Sequence, residues 1–251
     1  MIPKIIHFCW LSGDEYPDKI KMCLESWKKK LPDYEIKLWN TQNFDVNCSN
    51  WTRNAFEKKQ YAFVSDYVRF FALYNYGGIY LDSDIEVKKS FDDLLDKKFF
   101  FGYEYEGLPE AAVVGAEKGL DWIKQCLDWY PNHEFVKENG TLNKVVAPLI
   151  MQYGFEKDTN FSLIDDGEIK NVFGGTIYPY DYFSSKDSFT GEIIDTQNTY
   201  SVHHFNCGWL KTKGITVVKK KIHKLLIHIF GKLNYNKILY KIRKKKFYGV
   251  N

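Results

Sequence analysis

The spacing of apolar and polar positions divides the first hundred residues cleanly. Lys4-Ile5-Ile6-His7-Phe8-Cys9-Trp10 is almost continuously apolar and predicts a buried strand, which breaks at Ser12-Gly13-Asp14. Past Pro17 the apolar residues recur at helical spacing from Asp18 to Lys30, and Leu31-Pro32-Asp33 ends that helix. Tyr34-Glu35-Ile36-Lys37-Leu38-Trp39 then alternates with a period of two, as a half-exposed strand does. A β-α-β unit is therefore complete by residue 40. Such units feed a parallel sheet through right-handed crossovers, and ligands sit beyond the carboxyl ends of its strands.

Helical spacing returns from about Arg53 to Tyr76 and predicts one helix, stopped by Gly77-Gly78, where a left-handed backbone costs little. Ile79-Tyr80-Leu81 follows as a short buried strand. Farther on, the pattern predicts a helical turn over Phe91 to Leu95 and a strand over Lys98 to Tyr103. Helices are predicted near Asp121 to Tyr130 and Leu142 to Tyr153, with strands near Thr176 and Ser201. Phe173 to Thr199, rich in Gly, Ser, Asp and Tyr, reads as a long loop of the kind used for lids and binding.

At 251 residues the chain has room for one substantial core with small additions, and the 18% of aromatic residues could serve that core or stack on ligand rings. The five cysteines are odd in number, scattered and free of any C-x-x-C pair, which points away from a zinc clip and toward a reduced, cytoplasmic setting. The apolar N-terminus is too short for a signal peptide, and no apolar run reaches the length of a membrane span.

The net charge of +3 changes this picture, because it hides a sharp segregation. No Asp or Glu follows Asp195, whereas 13 Lys and Arg lie between Lys211 and Lys246, interleaved with Ile, Leu, Phe and Tyr. Residues 1–215 are expected to form the main domain, and residues 216–251 a basic amphipathic extension of one or two helices around Gly231. Such an extension fits an anionic membrane surface, placing the protein peripherally on the inner face of the membrane. Nucleic acid is not expected, since no recognised binding motif accompanies the charge.

The chemistry concentrates in Asp82-Ser83-Asp84, at the point where a buried strand would emerge from the sheet. Two carboxylates one residue apart can share a divalent cation, and hard oxygen donors select Mg²⁺ or Mn²⁺, which neutralises a diphosphate leaving group. Upstream, Asp66 and Arg69 share one face of the helix that delivers the strand. An ordinary surface salt bridge would account for that pair, and two exposed turn acids would account for a lone D-x-D.

Phe63-Val64-Ser65-Asp66-Tyr67-Val68-Arg69 together with Leu73-Tyr74-Asn75-Tyr76-Gly77-Gly78-Ile79-Tyr80-Leu81-Asp82-Ser83-Asp84 resembles the DXD-containing sugar transferases of glycosyltransferase family 32. The opening Ile2 to Trp10 resembles that family's first strand. The resemblance implies an α/β fold of the GT-A, Rossmann-like type with helical additions, a nucleotide-diphospho-sugar donor, and a saccharide or lipid-linked oligosaccharide acceptor. It also implies a divalent metal and retention of anomeric configuration. Uridine diphosphate sugars are the first expectation and guanosine diphosphate mannose the second.

Under the resemblance, Asp84 is the direct metal ligand, and Asp82 contacts the ribose or reaches the metal through water. Asp66 accepts hydrogen bonds from the donor sugar, Arg69 steadies the sugar or its phosphate, and His7 and Trp10 on the first strand belong to the substrate site, with Trp10 stacked on the nucleobase. Late in the chain Tyr200 to Trp209 resembles the family's His and Trp motif. Adjacent strand residues face opposite ways, so one of His203 and His204 should meet the metal, with His203 favoured, and Trp209 should cap the diphosphate or sugar. Gly208 stands where relatives commonly carry Ser, and Ala111 where they often carry Asn.

Glu104 and Glu106, after the strand ending near Tyr103, could line the acceptor side, but they are read first as exposed loop acids. With no compelling nucleophile in view, retention would proceed by same-face attack assisted by the leaving phosphate. Two rival readings remain: a sugar- or nucleotide-binding protein without turnover, and a haloacid dehalogenase-type phosphatase. The latter's D-x-D normally lies near the N-terminus and continues with Thr or Val, whereas Asp84 is followed by Ile85 in mid-chain.

Overall fold

The computed structural model describes residues 1–187, 191–205 and 215–248. Its core is a seven-stranded sheet. β1 (Ile5–Cys9) leads through α1 (Asp18–Lys30) to β2 (Glu35–Trp39), which pairs with β1 in parallel, as the hydrophobic pattern predicts. α2 (Asn50–Glu57) and α3 (Tyr61–Tyr76) then carry the chain back to β3 (Gly78–Leu81), which lies parallel to β1 on its other side.

The single helix expected from Arg53 to Tyr76 is thus two helices. Ser49 caps the first, accepting from the Thr52 amide at 3.1 Å, and the break falls at Lys59, whose φ of 54° no helix tolerates. Gly77, at φ 67°, ends α3 as predicted, and no side chain would fit there, because a Cβ would lie 2.8 Å from the Lys118 amide nitrogen.

β4 (Ile85–Val87) follows the D-x-D turn, and β5 (Phe99–Tyr103) and β6 (Pro109–Ala116) form an antiparallel pair that joins the sheet at β3. α4 (Asp121–Trp129) and α5 (Ala147–Thr159) cover one face. α5 starts five residues later than the periodicity indicates, with Pro148 in its first turn, where the missing N–H is harmless. β7 (Lys170–Val172) and β8 (Gly175–Tyr178) complete the order β2-β1-β3-β6-β5-β8-β7, in which three pairings are parallel and three antiparallel.

The period-two rule sorts the core: Phe99 and Phe101 point into the layer under α2 to α5 with Trp51, Trp122 and Phe155, while Phe100 points to the opposite layer with Phe8, Trp27 and Phe91. β9 (Ser201–His203) pairs with β4 in a small second sheet.

α6 (Ile215–Phe230) and α7 (Lys232–Tyr248) lie either side of Gly231, where one or two helices are expected. α7 lies against the rest of the chain. Asn236 donates to Asp165 at 3.0 Å, Arg243 to the Glu106 carbonyl at 3.0 Å and the Tyr240 hydroxyl to Glu156 at 2.8 Å. Among the described residues no helix is long and apolar enough to cross a membrane.

Candidate functional site

The carboxyl ends of the three neighbouring parallel strands, β2, β1 and β3, deliver Asn40, Trp10 and Asp82 to one edge of the sheet. There the chain turns tightly. The Asp82 amide donates to the Ala112 carbonyl at 2.9 Å, which holds the end of β3 on β6, and the Asp82 carbonyl accepts from the Ile85 amide at 3.0 Å. Ser83 and Asp84 occupy the turn so closed. β4 then pairs with β9 in a register that sets Ile85 opposite His203, so the histidine arrives beside Asp84 from a segment about 120 residues away.

Asp82, Asp84 and His203 each offer a ligand atom, and these atoms lie within 4.8 Å of one another. His203 Nε2 is 3.5 Å from Asp84, and Nδ1 is 3.4 Å from the fully buried carboxylate of Glu110. Burial alone would lower the pKa of His203, but Asp84 and Glu110 outweigh it and raise it to about 10. Two carboxylates and an imidazole can hold a divalent cation, and the carboxylate behind the imidazole is the usual outer partner of a metal-bound histidine. The donor set fits the expected cation. His204 points elsewhere: its Nε2 meets Glu86 at 2.9 Å, and its amide holds the Asp84 carbonyl at 3.2 Å. The structure therefore brings His203, and not His204, to the acidic pair.

Asp66 and Arg69 join the same centre by a different route. Arg69 is 2% exposed and spans two carboxylates, donating from Nη1 to Asp66 at 2.9 Å and from Nη2 to Asp82 at 2.8 Å. Its guanidinium also lies over the Tyr80 ring at 4.7 Å. Asp66 accepts in addition from the Ala147 amide at 3.2 Å, at the positive end of α5. Burial lifts its pKa to about 6, against the opposing pull of Arg69. Arg69 is thus the cation that allows Asp66 and Asp82 to share one half-buried corner.

Trp10 lines an open cleft of about 530 Å³ with Tyr16, Lys21, Leu38, Asn40 and Gln42. Its indole N–H is fixed on the Asp14 carbonyl at 2.8 Å, and its ring meets Tyr16 edge-on at 4.9 Å. His7 is not brought to this surface. It is fully buried, with Nε2 at 2.8 Å from the Gly77 carbonyl and Nδ1 accepting from Trp39, and burial pushes its pKa down to about 4. His7 braces the turn after α3 instead of touching a ligand. Trp209 lies outside the described residues.

The acids after β5 are not exposed loop acids. Glu106 is 4% exposed and Glu110 fully buried. Burial, then Glu110 and Glu106, push the Glu104 carboxyl well above its ordinary range. Glu110 is held below its own range, because His203, Ser184 and the Ala112 amide outweigh burial. Glu110 is the site residue that the pattern misses. The available signal was a lone acid inside the apolar run from Pro109 to Ala116, where an unpaired carboxylate is costly. Ala111, next to it, packs into the core.

Residues 17–101 match the family model of the glycosyltransferase sugar-binding region containing a DXD motif. An inositol phosphoceramide mannosyltransferase 3 of Schizosaccharomyces pombe is 38% identical over 138 residues, 53% of this chain and 38% of that protein. An uncharacterized glycosyltransferase of Acanthamoeba polyphaga mimivirus is 28% identical over 200 residues, 72% of this chain and 78% of its own. The chain thus spans well under half of the fungal relative. Among solved structures, the PaToxG glycosyltransferase superimposes with a TM-score of 0.50 at 18% identity, over 63% of this chain and 70% of that one. The fold is GT-A.

Proposed function

Because residues 17–101 are a DXD-type sugar-transferase region on a GT-A fold, we propose that this chain transfers a hexosyl group from a nucleoside diphosphate sugar, with retention, to a glycolipid or saccharide acceptor at a membrane surface. The observation that carries the proposal is the meeting of Asp82, Asp84 and His203, donor atoms within 4.8 Å, on the edge of the sheet where parallel strands end. Asp84 and His203 would hold Mn²⁺ or Mg²⁺, with Asp82 direct or through water; a bound cation there supplies charge neutralisation for the departing diphosphate.

The chain's own residues do the rest. The cleft under Trp10 and Tyr16 offers a ring face and edge for a nucleobase. Asp66, fixed by Arg69 and the Ala147 amide, presents a rigid acceptor to sugar hydroxyls, and Arg69 keeps Asp82 aimed while adding positive charge behind the leaving group. No carboxylate is assigned as a nucleophile, so attack from the face of the departing phosphate remains the mechanism. Isolation of a covalent sugar adduct on Glu104 or Glu110 would overturn it.

The fungal relative is named an inositol phosphoceramide mannosyltransferase, which sets GDP-mannose beside UDP-hexoses as the donor to test. The acceptor would then be presented at an anionic surface. α6 and the start of α7 expose Ile222, Leu225, Ile229, Phe230 and Leu233 within the basic tail, an arrangement suited to interfacial binding on the inner face of the membrane. Release of nucleotide from a panel of donors with Mn²⁺ tests the activity. Turnover of one donor that Asp84→Ala abolishes supports it; donor binding with no turnover on any lipid or saccharide acceptor would favour a binding protein.

A further inference from the structure

β3, β5 and β8 run the same way, because β6 is antiparallel to both β3 and β5 and β8 is parallel to β5. Their carboxyl ends therefore share one edge of the sheet, and the loop after β8 emerges three strand spacings, about 14 Å, from the D-x-D turn after β3. There an open pocket of about 470 Å³ lies between that loop, the turn before β7 and the start of α7. We propose that this pocket, lined by Tyr180, Asp181, Tyr182, Asn198 and Lys232, is a saccharide subsite that holds a sugar of the acceptor distal to the one being extended, a role that rests on the sugar transfer proposed above.

The walls are set by bonds from distant segments. The Ser184 amide donates to the Tyr180 carbonyl at 3.0 Å and the Tyr200 amide to the Tyr182 carbonyl at 2.7 Å, so both rings stand on a fixed turn. Thr199 Oγ1 donates to the Asp181 carbonyl at 2.8 Å, while Asp181 Oδ2 accepts from Thr196 and Asn198 at 2.9 and 3.2 Å. Among the described residues Oδ1 of the same carboxylate accepts no hydrogen bond. From the other side α7 sets the Lys232 ammonium 3.1 Å from the centre of the Tyr180 ring, and Asn236 holds that helix in place by donating to Asp165 at 3.0 Å. The segment through Thr199 and Tyr200 continues directly into β9, which carries His203, so pocket and DXD centre are joined by a few residues.

The lining chooses a neutral, hydroxyl-rich ligand. Phenol rings beside a carboxylate and a carboxamide suit a sugar, whose C–H face packs on the rings while its hydroxyls donate to Asp181 and exchange bonds with Asn198. The acids Glu168 and Asp181 stand against the single base Lys232 in this lining, which disfavours a phosphate or another anion. Burial also pulls the Lys232 ammonium down to about 8, despite Asp165 and Glu106, and so weakens it as an anion anchor. An acyl chain would leave Asp181, Asn198 and Lys232 without polar partners. The volume falls within the roughly 300–1,000 Å³ of small-molecule sites. Because α7 supplies one wall, the C-terminal extension would take part in choosing the acceptor.

The test uses the full chain and, as probes, neutral linear tetrasaccharides of mannose, glucose and galactose, with binding read by saturation-transfer NMR. At least one tetrasaccharide should bind, and Tyr180→Ala should weaken it about tenfold or more, whereas Tyr180→Phe, which keeps the ring, should bind nearly as the native chain does. Asp181→Asn combined with Asn198→Ala leaves both rings in place and should weaken the same probe severalfold, which guards against a folding defect in Tyr180→Ala. Trp10→Ala, in the separate cleft at the end of β1, should leave tetrasaccharide binding unmoved. Absence of binding across the panel, binding that survives the pocket substitutions, or an equal loss in Trp10→Ala overturns the proposal. Donor turnover by the native chain is read separately: saccharide binding that behaves as expected without turnover of any donor would leave this site standing and remove the proposed activity.

Discussion

Replacing Arg69 by Met keeps most of the side chain's volume and removes the cation that bridges Asp66 and Asp82. The guanidinium is 2% exposed and its two bonds, at 2.9 and 2.8 Å, are charge-assisted. Breaking a buried ion pair from one side costs about 3–5 kcal/mol, because the partner charge is left stranded. Here the carboxylates retain 15% and 29% side-chain exposure, so water can reach them and the lower end applies, about 3 kcal/mol. For a chain of this size that corresponds to a fall in melting temperature of about 6–12 °C, at about 2–4 °C per kcal/mol. Differential scanning calorimetry of the metal-free protein reads it. Asp82→Asn added to Arg69→Met should recover part of the loss, and Arg69→Lys should fall between, since it keeps the charge but not the fork. A shift below about 3 °C for Arg69→Met, or no recovery in the double variant, would refute the view that Arg69 holds this corner together.

Three further outcomes follow from the same geometry. In metal-free protein the raised pKa of His203, about 10 against an ordinary 6.5, contributes stability fully below pH 6.5 that is lost as pH rises through 10. His203→Asn should therefore flatten urea-derived stability between pH 6.5 and 10, whereas an unchanged slope would remove the charge from His203. Gly78→Ala would place a Cβ 2.6 Å from the Ile5 carbonyl at a φ of 104° and should cost about 2–4 kcal/mol in chemical denaturation, from strain and overpacking together; a neutral result would contradict the tight β1–β3 approach. Leu225→Asp with Ile229→Asp, both more than half exposed, should abolish sedimentation with anionic vesicles without moving the melting temperature. Retained vesicle binding would rule out that face of the tail.

The β1-α1-β2 unit, the Gly77 stop and the placing of Asp82 and Asp84 at a strand end were all legible in the chain, since each is encoded locally by periodicity, proline or glycine. β6 was not. Its eight residues are buried throughout, so Ala111 to Val114 show no alternation, and Gly115 is there because a Cβ would meet the Phe100 ring at 2.1 Å, a contact no local pattern reports. The break between α2 and α3 was hidden because Lys59 adopts positive φ without being glycine. The D-x-D, Asp66 and Arg69 were visible as residue types, but the pairing of Arg69 with Asp82 crosses from helix to strand and exists only in three dimensions. The same holds for Glu110 behind His203 and for α7 against Glu106, because amphipathicity reveals a face and not what covers it.

The central claim is that Asp82, Asp84 and His203 bind a divalent cation together with a nucleoside diphosphate. Calorimetric titration of Mn²⁺ into the protein, with and without GDP or UDP, tests it most directly. The account predicts one equivalent of Mn²⁺ bound, tighter with one of the two nucleotides present, and weakened by about 10–100-fold or more in Asp84→Asn, and in Glu110→Gln through its loss behind His203. Affinity that is unaltered in Asp84→Asn, or no nucleotide-enhanced binding at all, would contradict it.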